Sequence, residues 1–254
     1  MNESGGSASP EPHTSLPNGD GDGSSGEFRP ELGAAIAVFV AGFVGTVIGV
    51  GFASISFGDG FGPVAVGFLG QWAGAGAATL AFFRVGRFRR PMQNPFADRG
   101  AFRFRWVDPA FAAAGVILQF VVLLPYVLLQ VDREKLEAPA NDLADRAGTI
   151  GIGFAALCLI TIVGAPLAEE GLFRWLIHGT LRLRFRVGWA VLISSIWFGA
   201  AHFQPLQFLA LALFGAAAAL VRERTQRFWP SVFLHGGFNA ITMLILGLRL
   251  ARNG

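Results

Sequence analysis

The sequence predicts an all-α protein, a polytopic bundle of about seven membrane helices around an intramembrane polar cavity. Hydrophobic residues make up 53% of its 254 residues, and the mean hydropathy is +0.51. Charged residues account for 15%, compared with about 25% in ordinary soluble domains. Apolar runs close to the ~20 residues that a membrane helix needs recur along the chain. Polar clusters lie inside the runs of the C-terminal half, where ionisable groups are costly and usually functional.

Two regions follow from this composition. Residues 1–31 are rich in Gly, Ser, Pro, Asn and Asp, so we expect a disordered N-terminal tail. Residues 32–254 are expected to form the membrane domain. The fourth run is too long for one straight crossing, so we expect a tilt or break at Gly164-Ala165-Pro166. The predicted spans are 33–57, 61–83, 108–131, 149–181, 187–203, 206–221 and 229–248.

The loop charges predict the topology. Arginines cluster between spans two and three, four and five, and six and seven. With seven spans these loops share one side, which the positive-inside rule places in the cytoplasm of a cell-membrane protein, together with the N-terminal tail. The pI of 9.9 therefore reflects orienting loops, and we expect no nucleic-acid partner. The polar segment 132–148 is expected to be a short helix or loop on the outer side.

Small residues in the first two spans predict close helix packing. Glycines recur at short intervals in both, and such residues let membrane helices approach each other. The glycines are Gly42, Gly45, Gly49, Gly70, Gly74 and Gly76. This is a packing signal and implies no chemistry.

The first polar cluster lies in AEEGLFRWLIH. Glu170, Arg174 and His178 are spaced by four, so on a helix they share one face. Arg174 can neutralise one carboxylate, which leaves the other of Glu169 and Glu170 as a candidate general base. A buried ion pair with a second Glu at a helix end is the structural alternative.

Two further clusters follow on later spans. Phe198 and His202 are four apart, as are His235 and Asn239. A lone His on an apolar helix is commonly a packing residue, but His and Asn together offer donors for a developing oxyanion. A rise of 1.5 Å per residue gives the clusters similar depths. We therefore expect the side chains of Glu169, His202 and His235 to come within roughly 3–6 Å.

These three motifs carry a resemblance to a known family. Glu169-Glu170-x-x-x-Arg174, Phe198-x-x-x-His202 and His235-x-x-x-Asn239 resemble, in order and spacing, the motifs of the CPBP family. This family comprises CAAX prenyl proteases of the Rce1 type and bacterial Abi proteins. The resemblance covers about residues 149–245.

The resemblance implies an intramembrane endopeptidase that acts near the cytoplasmic face on a peptide or membrane-protein substrate. Glu169 would activate water, His202 would help to hold it, and His235 and Asn239 would stabilise the oxyanion. Glu170, Arg174 and Phe198 would be supporting residues. A metal-free mechanism is favoured because no His-Glu-x-x-His pair is present. Zinc remains the alternative, with Glu169, His202 and His235 as its candidate ligands.

Other functions are also compatible with parts of this sequence. A non-catalytic immunity or scaffold protein of the same fold is the main alternative, since relatives are linked to bacteriocin self-protection. A proton-relaying transporter would show internal repeats, which are not apparent. Asp59 alone cannot form an aspartyl dyad, and no Gly-x-Ser-x-Gly elbow occurs.

Overall fold

A computed structural model describes residues 30–57, 61–84, 99–147 and 151–253, and in these ranges the regular structure is entirely helical. Eight helices follow one another, with a short 3₁₀ turn at Arg99–Phe102 before the third. They are α1 (Pro30–Phe57), α2 (Phe61–Arg84), α3 (Ala110–Leu128), α4 (Arg133–Ala147), α5 (Ile152–Arg182), α6 (Val187–Ala200), α7 (Phe208–Thr225) and α8 (Trp229–Asn253).

The helices form a polytopic membrane bundle, as predicted. Four stretches are long and apolar enough to cross a membrane: Leu32–Ser56, Ala110–Leu128, Ile152–Arg182 and Trp229–Arg252. Helix α6 is apolar but shorter. Helices α2 and α7 lie where spans were predicted, without reaching the same criteria among the described residues. The count of seven crossings therefore stays a prediction.

Glycine contacts join α1 to α2. A Cβ on Gly45 would lie 2.1 Å from the carbonyl oxygen of Gly70, and one on Gly74 would lie 2.3 Å from that of Ala41. No side chain fits at such distances, so the two backbones touch, as the predicted packing requires. Gly76 takes no part, because a Cβ there would meet nothing within 4 Å.

Helix α5 is widened where a break was expected. Its 31 residues would extend roughly 46 Å, well beyond the ~30 Å hydrocarbon core. The chain stays helical through Gly164-Ala165-Pro166, but Ile160–Gly164 and Gly171–Ile177 are π-helical. Wider π turns tolerate a proline in the following turn and frequently occur at functional sites. They bracket the short α-helical piece Ala165–Glu170.

One core holds the bundle together around Phe198. Buried residues from α1, α5, α6, α7 and α8 pack in this cluster, including Val38, Ile177, Phe214 and Leu234. Helix α3 joins through close backbone contact with α8, since a Cβ on Gly237 would lie 2.0 Å from the carbonyl oxygen of Ala112. The polar motifs therefore lie on the helices that build the core.

Polar contacts at the two ends agree with an alternating arrangement of helices. At one end, Phe228 N–H donates to the Ala101 carbonyl at 2.7 Å. At the other, Gln207 Nε2 donates to the Leu136 carbonyl at 2.6 Å, and Arg249 donates to Asn141 at 3.2 Å. The segment predicted as a short surface helix is the helix α4, and it caps the second end.

Three predictions fall outside the described residues. The tail up to residue 29, Asp59 and the arginines at 87, 89 and 90 belong to ranges that the structure does not describe. The disordered tail and the cytoplasmic location of the N terminus stay predictions.

The topology can be tested with single cysteines after Cys158→Ala. Cysteines at positions 95 and 185 should resist an impermeant thiol reagent added to intact cells, because their loops are predicted to be cytoplasmic. Lys135→Cys, on exposed α4 at the opposite end, should label from outside and serves as the control. The reverse labelling pattern would contradict the predicted orientation.

Candidate active site

Side chains from three helices meet at Glu169. Glu169 lies on α5, His202 lies two residues after the end of α6, and His235 lies on α8. The Glu169 Oε2 atom is 3.7 Å from His202 Nε2 and 3.9 Å from His235 Nε2. The predicted convergence within roughly 3–6 Å is confirmed for both histidines relative to Glu169.

Glu169 has an uncommitted carboxylate oxygen. Its side chain is 20% exposed, yet Oε2 is buried and accepts no hydrogen bond from any described residue. Both imidazole nitrogens nearby are too distant for a direct bond. Neither histidine therefore bonds Glu169 Oε2 directly, at 3.7 Å from His202 and 3.9 Å from His235.

Backbone bonding determines the tautomer of His202. Its Nδ1 lies 2.8 Å from the Phe198 carbonyl oxygen. A carbonyl can only accept, so Nδ1 carries the proton and the neutral ring keeps a lone pair on Nε2. His202 therefore presents an acceptor towards Glu169.

His235 bridges the two adjacent glutamates. Its Nδ1 lies 3.0 Å from Glu170 Oε1, while its Nε2 faces Glu169. A carboxylate accepts the Nδ1 proton and thereby orients the ring, as in carboxylate–histidine pairs elsewhere. In the neutral form Nε2 accepts a hydrogen bond, and in the protonated form it donates one.

Glu170 and Arg174 form a fully buried ion pair. Their side chains are 0% exposed, and Arg174 Nε is 3.1 Å from Glu170 Oε2. The angle is too poor for a hydrogen bond, and the guanidinium nitrogens have no hydrogen-bond partner within the described ranges. The Phe198 ring lies 4.6 Å from the guanidinium carbon, so a cation–π contact supplies part of the missing interaction.

Phe198 packs the site together. It is completely buried, and its ring lies 4.8 Å from that of His202 and 5.9 Å from that of His235. The rings of Phe173 and Phe214 surround it at 5.0 and 5.6 Å. These rings form an apolar wall around the charged groups.

Asn239 reaches across to α5. Its Nδ2 donates to the Thr161 carbonyl at 2.8 Å, and Thr161 belongs to the first π turn. The predicted shared face with His235 holds, but one of its two amide protons is already used. The second N–H stays available for another acceptor.

An apolar cavity of about 340 Å³ lies beside Glu169. It is bounded by α1, α2 and α5, with Gln71, Trp72 and Trp175 in its walls, and Glu169 is the single charged residue that lines it. Sequence reasoning missed these wall residues. The available signal was Gln71 itself, a polar side chain in the middle of an otherwise apolar helix.

His178 belongs to a separate polar cluster. Although it shares a face with Arg174, its Nε2 lies 2.8 Å from Glu223 and its Nδ1 3.2 Å from Ser194. Arg182 donates to the same Glu223 oxygen at 2.8 Å. These contacts tie the end of α5 to α6 and α7, away from Glu169.

The three candidate zinc ligands do not form a metal-holding group within the described part of the chain. Tetrahedral zinc with bonds of about 2.0–2.2 Å brings donor atoms to roughly 3.3 Å from each other. Glu169 Oε2 is 3.7 and 3.9 Å from the two histidine nitrogens.

Two comparisons with known proteins found a match. Residues 151–241 match the family model of the type II CAAX prenyl endopeptidase Rce1-like proteins. A Bacillus subtilis (strain 168) protein named "Putative membrane peptidase YdiL" is 31% identical over 97 residues, which are 38% of this chain and 39% of that protein. The chain thus spans about two fifths of the length of this curated relative. No solved structure is significantly similar to this protein.

The matched region contains all three motifs, and their side chains meet in one place inside an apolar helix bundle. The protein is an integral membrane protein, and its residues 151–241 are similar to the Rce1-like type II CAAX prenyl endopeptidases.

Proposed function

We propose that this protein is an intramembrane endopeptidase that hydrolyses a peptide bond with a water molecule activated by Glu169. The observation that carries the proposal is the buried, uncommitted Glu169 Oε2 atom, 3.7 Å from His202 Nε2 and 3.9 Å from His235 Nε2. A carboxylate with a free oxygen beside two imidazoles supplies the groups that general-base activation of a water uses.

The first step is attack by water. A water molecule between Glu169 and His202 donates one proton to the carboxylate and the other to the Nε2 lone pair. Its oxygen lone pair then faces the peptide carbonyl carbon. As the new C–O bond forms, Glu169 takes the proton and the carbonyl oxygen becomes an oxyanion.

The oxyanion is stabilised by α8. Protonated His235 donates from Nε2, while Glu170 holds its Nδ1. The free N–H of Asn239 supplies the second donor, and its bond to Thr161 fixes the amide. Oriented donors in a water-poor site stabilise developing charge far more than they would in water.

Bond cleavage completes the reaction. The C–N bond breaks as protonated Glu169 gives its proton to the leaving nitrogen, so the carboxylate is regenerated. The products are a carboxyl and an amino terminus, and no external oxidant, reductant or metal is needed.

Glu170 and Arg174 act through His235. The guanidinium balances the Glu170 charge, and Glu170 in turn orients the imidazole. A buried carboxylate without its cation would be strongly disfavoured, so this pair keeps His235 aimed at Glu169.

The cavity beside Glu169 supports a peptide substrate with apolar side chains. Its walls are almost entirely apolar, and Glu169 borders it directly. A segment of a membrane protein, or a peptide bound from the membrane, matches these surroundings. Cleavage of prenylated tails is a narrower possibility that the cavity alone does not require.

Substitution of Glu169 and of Asn239 tests the catalytic roles proposed for them. Glu169→Ala should abolish turnover, because no other described carboxylate faces both histidines. Asn239→Ala should reduce kcat by about 10²–10³-fold, as removal of one oxyanion donor does elsewhere. Cleavage of membrane-protein substrates in the membrane proteome of cells that express each variant, with Glu134→Ala on exposed α4 as control, measures both. Full activity of Glu169→Ala would favour the non-catalytic immunity or scaffold alternative.

Removal of Arg174 should lower both stability and activity. Arg174→Ala leaves Glu170 buried without a cation, which costs about 3–5 kcal/mol in comparable pairs. Thermal unfolding in detergent measures the loss. Arg133→Ala removes a partner from an exposed ion pair and should leave the unfolding midpoint unchanged. Equal effects of the two substitutions would contradict the importance of the buried pair.

The metal-free mechanism predicts insensitivity to chelators. Activity of the purified protein should persist after treatment with EDTA or 1,10-phenanthroline, since every proposed step uses side chains and water. Inactivation that zinc reverses would instead assign Glu169, His202 and His235 as ligands and leave the protease function in place.

A further inference from the structure

A short exposed segment precedes α3 and combines aromatic and basic residues. Phe102–Val107 reads Phe-Arg-Phe-Arg-Trp-Val. Trp106 is 92% exposed and Val107 61% exposed, and both arginines are exposed. Among the described residues, neither packing nor an ion pair accounts for this exposure of a Trp beside two arginines.

The segment is held firmly in spite of its exposure. Trp229 Nε1 donates to the Phe102 carbonyl at 2.8 Å. Asp108 is fully buried, accepts the Arg105 N–H at 2.8 Å and pairs with Arg227. The Phe102 ring packs on Phe228, so the segment forms a fixed surface on the protein.

Its depth in the membrane follows from the helices it joins. Val107 lies just before α3, a candidate span of 19 residues that would extend roughly 28 Å. Trp229, which binds Phe102, is the first residue of the α8 span. Both spans therefore begin at this segment, which places it at the boundary between hydrocarbon and headgroups.

Its chemistry fits phospholipid headgroups. Aromatic side chains prefer the membrane interface, and guanidinium groups bind phosphate oxygens in a bidentate manner. Arg103 and Arg105 have no carboxylate partner among the residues described, because Asp108 is committed to Arg227 and to a backbone N–H. Their positive charge is left for a ligand.

We propose that Phe102–Val107 is a docking site for anionic phospholipid headgroups. The arginines bind the phosphate groups while Trp106 and Val107 enter the acyl-chain boundary. The same contacts set the depth of the catalytic cluster, because His235 lies six residues along α8 from Trp229, or roughly 9 Å.

The position favours lipid over other ligands. A soluble anion would gain nothing from Trp106 and Val107. A second copy of the chain would have to present acidic residues at the same membrane level, whereas the loops that share this end of the protein are rich in arginine.

Lipid binding to the purified full-length protein tests the proposal without reference to proteolysis. Native mass spectrometry in detergent would give dissociation constants for phosphatidylglycerol and phosphatidylcholine. We expect phosphatidylglycerol to bind more tightly, and Arg103→Gln and Arg105→Gln each to weaken it about fivefold. Arg252→Gln, the same change at an exposed site on the opposite end of α8, is the matched control.

Further variants separate charge from folding. Arg103→Lys and Arg105→Lys keep the charge and should retain most of the preference for phosphatidylglycerol. Trp106→Ala should weaken both lipids, because it removes an acyl-chain contact. Equal binding of the two lipids, equal loss in Arg252→Gln, displacement by soluble glycerol phosphate, or a dimer formed through this segment would each overturn the proposal.

Discussion

A buried ion pair between Glu170 and Arg174 organises the C-terminal half of this protein. Glu170 and Arg174 are both fully buried, and neither could remain ionised in such surroundings alone. Arg174 is held by Glu170 and by the Phe198 ring, and Glu170 holds His235. Helices α5, α6 and α8 are thereby tied together at the depth of Glu169, so the same interactions that permit the buried charges also assemble the site.

The two π turns of α5 also shape the site around this ion pair. Thr161 lies in the first π turn and its carbonyl accepts a hydrogen bond from Asn239. Gly164 ends that turn, and a Cβ there would lie 2.3 Å from the ring of Trp72. Helix α2 can therefore approach the turn that precedes Glu169. The π turn thus supplies the carbonyl that binds Asn239, and Gly164 leaves room for Trp72. This agrees with the frequent use of π turns at functional sites.

The two ends of the bundle are fastened by different means. One end relies on the buried Asp108–Arg227 pair and an aromatic cluster around Phe104 and Trp229. The other relies on α4, whose backbone and side chains bind Gln207 and Arg249. The middle carries the candidate catalytic groups among aromatic rings. Lipid on the outside adds little attraction between helices, so polar ties and close glycine contacts maintain their positions.

The sequence by itself determined where the helices lie and which polar residues share a face. Apolar runs located seven of the eight helices, and the spacing of four placed Glu170 with Arg174 and His235 with Asn239. Only the tertiary structure decided that Arg174 pairs with Glu170, that Glu169 stays uncommitted and that Asn239 binds α5. Sequence spacing defines depth and direction on one helix. It does not define the rotation of that helix against its neighbours, and this rotation selects the partners on other helices, such as Thr161 for Asn239.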